Sequence, residues 1–146
     1  MSRFGHLARR FASSLSTRPP SATDTAWAES HLLHGEVELW RRMSAADRRH
    51  AIAVARRFAD TTEPWSREEM AGALLHDVGK LDANLGTLRR VAATVLGPVT
   101  RRFARYHQHE EIGAAMLAVA GSSAVTVELV RGRGRAAAAL RAADDI

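Results

Sequence analysis

The stretch from Ser66 to Lys80 constrains the fold of this chain more than any other. Ser66-Arg-Glu-Glu69 reads as a capping box, in which the serine side chain and the glutamate satisfy two otherwise orphaned backbone N–H groups. Trp65 and Met70 flank it as a hydrophobic staple. Met70, Ala71, Leu74, Leu75 and Val78 then share one apolar face at helical spacing. Gly79 predicts the stop, with Lys80 just past it. A short helix with a defined start and end must bury that face against other elements. His76 and Asp77 fall on the other side, and an adjacent imidazole and carboxylate are good ligands for a divalent ion. Neighbouring side chains on a helix diverge by about 100°, so one ion touches both only from over the ridge between them. Side chains lean toward the helix N-terminus, which predicts free space over Gly72 and Ala73. Taken alone, a His-Asp dipeptide reads first as a chance pair whose histidine caps or bonds locally.

The rest of the chain supplies elements of the same kind. Residues 1–15 predict a short helix with Phe4, Leu7, Phe11 and Leu15 as a small apolar stripe, and Ser16 to Thr25, with Pro19-Pro20, a loop or linker. Asp24 to Met43 is helical in pattern, with Trp27, Leu32, Leu33, Val37, Leu39 and Trp40 interleaved with acids. His31 and His34 stand three apart there and, without an acid in register, read as surface or core histidines. Ser44-Ala-Ala-Asp47 caps a helix running to about Ala59, with His50 at the edge of its apolar face. Asp60 to Pro64 is a turn. Leu81 to Gly86 is loop-like, and Thr87–Leu96 and Pro98–Tyr106 read as helices broken at Gly97-Pro98. His107-Gln-His109-Glu-Glu-Ile-Gly-Ala begins another helix, its acids in the first turn where the dipole favours them. Its stripe is Ile112, Ala115, Met116 and Val119. Val125 to Val130 continues as helix, Arg131 to Arg135 interrupts, and Ala136 to Asp144 closes the sequence. No stretch alternates with strand period and no hairpin or repeat is present, so the fold class is all-α.

Composition then removes whole classes of function. There is no cysteine, which excludes disulfides, thiolate zinc sites and cysteine nucleophiles. Any metal must be held by His, Asp and Glu, a donor set suited to magnesium, manganese, iron or zinc. The formal charge is +5, but Arg3, Arg9, Arg10 and Arg18 precede the first acid, Asp24. The first 23 residues therefore carry +4 and the other 123 only +1. Residues 1–23 read as a basic segment with a short helix and linker, and 24–146 as one helical domain. Its near neutrality argues against nucleic acid as a partner. The longest uncharged stretch, Ile112 to Val127, is shorter than the ~20 residues of a membrane span. No transmembrane segment or secretory signal is expected, and the localisation reads as cytoplasmic. Residues 1–18, rich in Arg and Ser, allow weak membrane-surface contact. Arg89, Arg90, Arg101, Arg102 and Arg105 make a solvated face or, alternatively, a patch for an anionic substrate or partner.

The ordered set His50, His76-Asp77 and Asp144 resembles the HD-domain family of metal-dependent phosphohydrolases. The matching strings are Asp47-Arg-Arg-His50-Ala-Ile-Ala-Val-Ala, Leu74-Leu75-His76-Asp77-Val78-Gly79-Lys80, His109-Glu-Glu-Ile-Gly-Ala and Leu140-Arg-Ala-Ala-Asp144. Together they span roughly residues 44–145. The resemblance implies a compact HD-domain-like bundle of about six to eight helices. It also implies one divalent ion per chain held by His50, His76, Asp77 and Asp144, and a Lys80 placed to contact substrate phosphate. Relatives that bind two metals add a histidine in a string like that at His109, and His107 lies nearby here. Downstream this chain departs: where relatives often show a histidine pair it reads Val130-Arg131-Gly132-Arg133-Gly134, with no histidine after His109. One ion is therefore the expectation. The Gly-Tyr-Pro string of the cyclic-dinucleotide phosphodiesterase branch is absent, so that substrate is not assigned.

The activity so implied is hydrolysis of a phosphomonoester or phosphodiester, with a small phosphorylated substrate such as a nucleotide. A divalent ion neutralises phosphate charge and lowers the pKa of bound water. Asp77 would orient or deprotonate the attacking water. Lys80, helped by Arg133 or the arginines between 89 and 105, would bind the phosphate. Two other classes remain open: a non-catalytic binding or regulatory module retaining the HD fold, and an adaptor working through the basic N-terminus.

Overall fold

The computed structural model describes residues 16–81 and 104–146, with Gly5, and side chains of the second segment from residue 109 onward. Among the described residues there are seven α-helices, one 3-10 turn and no strand, so the fold is all-α. We number them α1 (Ala22–Glu29), α2 (His34–Arg42), α3 (Ala45–Thr61), α4 (Arg67–Leu74), the 3-10 turn (Val78–Lys80), α5 (Ala104–Val119), α6 (Ala124–Val130) and α7 (Ala137–Asp144). The predicted helix 1–15, the segment Thr87–Leu96, the residues of Pro98–Tyr106 up to 103 and the side chains of the arginines at 89–105 lie outside the described residues. No described helix is long and apolar enough to cross a membrane.

Four of the helices begin on a serine. The hydroxyls of Ser21, Ser44, Ser66 and Ser123 accept from the N–H groups of Asp24, Asp47, Glu69 and Thr126, at 3.1, 3.0, 3.0 and 3.3 Å. At Ser66 the capping box is complete, since its own N–H donates to Glu69 Oε1 at 3.0 Å. The helix predicted over Asp24–Met43 is instead two. Ser30 Oγ and His31 Nδ1 reach back to the Trp27 carbonyl, at 2.6 and 2.8 Å, and take the acceptor that the His31 N–H would use in a continuous helix. The ring of His31 sits edge-on to Trp27 and Trp65, whereas His34 is exposed beside Glu38.

Trp40, Phe58, Met70, Leu74, Leu75, Met116 and Leu117 are the largest apolar side chains of the core. α4 lies at the centre, packed between α3 and α6; α5 packs on α6 and on the 3-10 turn, and α7 packs on α3. Because α5 is covered on two sides, Ala114 to Leu117 are all buried. The stripe predicted for it needs correction, as Val119 is exposed.

One buried carboxylate ties this arrangement together. Glu36 is inaccessible to solvent and accepts from Leu33 N–H at 2.8 Å, Ser122 Oγ at 2.7 Å and Arg67 Nη1 at 3.2 Å. It thus joins α2 to α4 and to the turn before α6. Removing one member of such a set leaves the others unpaired. Glu36→Ala is expected to cost about 3 kcal/mol, in the lower part of the range for broken buried pairs because Arg67 is partly exposed. Urea denaturation measures this, and an unchanged midpoint would refute the tie.

Candidate metal site

The site grows from the way α4 ends. The helix predicted to continue through Val78 stops at Leu74, and Leu75 and Asp77 adopt φ near −100° with ψ of 11°. The cause is His76. Its Nδ1 lies 2.7 Å from the carbonyl of Ala73, the acceptor the Asp77 N–H would need for another α-helical turn. The chain tightens into 3-10 bonds from Val78 N–H to Leu75 and from Lys80 N–H to Asp77, each 3.0 Å. His76 and Asp77 therefore occupy a turn and not a helix face. The space predicted over Gly72 is taken instead by α6, for a Cβ on Gly72 would come within 2.8 Å of Leu129 Cδ2.

Since the Ala73 carbonyl only accepts, Nδ1 of His76 carries the proton and Nε2 is the free position. That nitrogen is buried and makes no hydrogen bond of acceptable geometry. It lies 3.4 Å from Asp77 Oδ2 and 3.4 Å from Asp144 Oδ1. A bare lone pair facing two carboxylate oxygens is repulsive unless a cation lies among them. His50, from the edge of α3, donates to the same Asp144 oxygen across 2.8 Å, and its ring centroid is 5.9 Å from that of His76.

One donor atom each from His50, His76 and Asp144 lies within 4.8 Å of the other two, so this group can hold a metal ion. Two imidazoles and a carboxylate are borderline-to-hard donors, and the unpartnered Nε2 is the kind of orphan that a cation resolves. Asp77 stands beside the group and outside it, with its Oδ2 3.2 Å from Lys80 Nζ. Asp144 belongs to the last turn of α7, which Arg57 of α3 secures by donating to the Ala143 carbonyl at 2.8 Å.

The charges are coupled. The hydrogen bond from His50, with the close approach of the His76 imidazole, holds the Asp144 carboxyl well below the usual carboxylate range. Burial lowers the pKa of His76, yet Asp144, Asp77 and the Ala73 carbonyl outweigh it and the net shift is upward. The site thus favours a positive charge at His76 Nε2.

A cleft of about 160 Å³ opens onto His76, Asp77 and Asp144, lined also by Lys80, His109, Glu110, Gly132 and Arg141. His109 is exposed on α5 and borders the cleft without joining the group of three; the His107 side chain lies outside the described residues. Arg133 is not at this cleft. It lines a separate hollow between α4 and α6, 3.8 Å from Glu128. Arg131 is likewise committed, to Glu111 at 3.1 Å and Glu128 at 2.7 Å. Arg141 is the cleft residue that sequence reasoning missed. The one signal was its place three residues before Asp144, on the same helical face.

Comparison of the chain with known protein families, with curated proteins and with solved structures finds no match in any of the three.

Proposed function

We propose that this chain is a metal-dependent phosphohydrolase of the HD-domain type, acting on a phosphomonoester or phosphodiester of the nucleotide class. The observation that carries the reading is the convergence of His50, His76 and Asp144 from three separate elements around an unpartnered buried nitrogen. Next to that group stand a carboxylate and an ammonium, the residue types that hydrolysis of a phosphate ester needs. When bound, a divalent ion would neutralise phosphate charge and make water a better nucleophile.

The chain's own residues divide the remaining work. His50, His76 and Asp144 would hold the ion. Asp77, anchored beside Lys80, would accept the proton of the attacking water. Lys80, about half exposed at the cleft, would bind a phosphate oxygen as a point charge.

The test is elemental analysis of the purified chain paired with a phosphate-release screen across nucleotides. About one divalent ion per chain with turnover is expected. Asp77→Asn is expected to lower turnover about 100-fold or more, the usual size of a general-base contribution, while leaving the metal content unchanged. Retained turnover in a clean preparation of that variant would remove the base. Metal without release from any nucleotide would favour the non-catalytic regulatory module.

A further inference from the structure

Arg141 is the uncommitted cation of the cleft. It is exposed on α7, one turn before Asp144, and among the described residues its guanidinium makes no ion pair or hydrogen bond. The other charged groups there are engaged: Lys80 with Asp77, Asp144 with His50 and His76, and Glu110 with an interaction of its own. The side chain of Arg141 lies over Gly132, since a Cβ on that glycine would stand 3.9 Å from Arg141 Nη2 and 3.7 Å from Glu110 Oε2. Gly132 has φ of +87°, so the turn that passes beneath the guanidinium is built without a side chain that would fill this space.

We infer that Arg141 grips the substrate's phosphoryl group and, with Lys80, restricts the cleft to phosphomonoesters. This rests on the phosphohydrolase reading above and narrows its substrate class. A guanidinium fork takes two phosphate oxygens in parallel hydrogen bonds, and an ammonium takes one more. A terminal phosphoryl group has three non-bridging oxygens and serves both cations at once. A diester has two, so Lys80 must share an oxygen with the fork, and the pairing is weaker. The second negative charge of a monoester also strengthens its attraction to Lys80 and Arg141, the cations that face Asp77, Glu110 and Asp144 in the cleft lining.

The experiment titrates inorganic phosphate and dimethyl phosphate calorimetrically into the full chain, with and without the metal that loads it. Wild type is expected to bind phosphate about tenfold or more tightly than dimethyl phosphate, the scale of one charge-assisted contact. Arg141→Ala is expected to weaken phosphate about tenfold and to narrow that preference, with metal content unchanged. Arg141→Lys, which keeps the charge and loses the fork, should recover only part of the affinity. Arg42→Ala, which removes an equally exposed arginine from α2, away from the cleft, controls for charge alone and should bind as wild type. Wild-type phosphate affinity in Arg141→Ala, or equal affinity of the wild type for the two probes, would overturn the inference. If no metal loads but phosphate binding still depends on Arg141, the hydrolase reading falls and the phosphate site stands.

Discussion

Replacing Gly79 with alanine is expected to dismantle the site and lower the stability of the whole chain by about 3 kcal/mol or more, at or above the upper end of overpacking costs. A Cβ at this position would lie 1.8 Å from the His109 carbonyl oxygen and 2.8 Å from Gly113 N. Both contacts are backbone of α5, so no side-chain rotation relieves them. The facing residue is also a glycine: a Cβ on Gly113 would meet Gly79 N at 3.0 Å. The pair brings the 3-10 turn directly onto α5, and that contact fixes where Asp77 and Lys80 stand relative to the cleft. To admit a methyl group, α5 must move off the turn or the turn must unwind. Gly72→Ala provides the comparison, because the atoms nearest its Cβ belong to the Leu129 side chain, at 2.8 Å from Cδ2, which has rotamers to spare. Thermal melts of the two variants, with their metal content, decide the matter. A Gly79→Ala protein that melts with wild type and keeps its ion would show that the turn does not depend on this approach.

What the sequence made legible here was whatever is local. The capping box at Ser66 and the cap at Ser44 are readable because their partners lie within three residues, and both are present. The all-α class followed from periodicity alone. The positions where the reading failed are those at which a side chain bonds to the backbone that a helix would otherwise use. His31 at Trp27 and His76 at Ala73 each end a helix that propensity would extend. Histidine carries no helix-stop signal, so neither break was visible. The pairing of His50 with Asp144 rested on resemblance, since 94 residues separate them and no local rule links them. Glu36 shows the converse difficulty. It reads as one more acid in an amphipathic helix, and only the tertiary fold reveals that it is buried with three donors. Arg133 and Arg141 differ in sequence context by little, and the path of the chain through Gly132 and Gly134 places the first at another hollow and the second at the cleft.

Asp144→Ala is expected to abolish metal loading and, with it, any phosphate release. Asp144 is the shared member of the group, with one oxygen 2.8 Å from His50 and 3.4 Å from His76. Loss of even an outer partner of a metal ligand costs about 10–100-fold in affinity, so loss of a ligand should exceed that. The metal-free protein offers an independent reading of the same contacts. The carboxyl of Asp144 is depressed from its ordinary 3.8, so its contribution to stability is present above that value and lost as the pH falls. The imidazole of His76 is raised from 6.5, so its contribution is complete below that value and lost as the pH rises through the shifted one. Together they predict a metal-free chain most stabilised by this cluster between about pH 4 and 6.5, and progressively less so above. A divalent ion bound there would take the place of the proton at His76, so loading should restore stability at pH 7.5 to 8 and be weakened by acid. Asp144→Ala should flatten the metal-free profile and remove the response to metal together. Melting temperatures from pH 4 to 8, with and without added manganese or zinc, test both. An Asp144→Ala chain that still gains stability from metal would mean that the ion binds elsewhere.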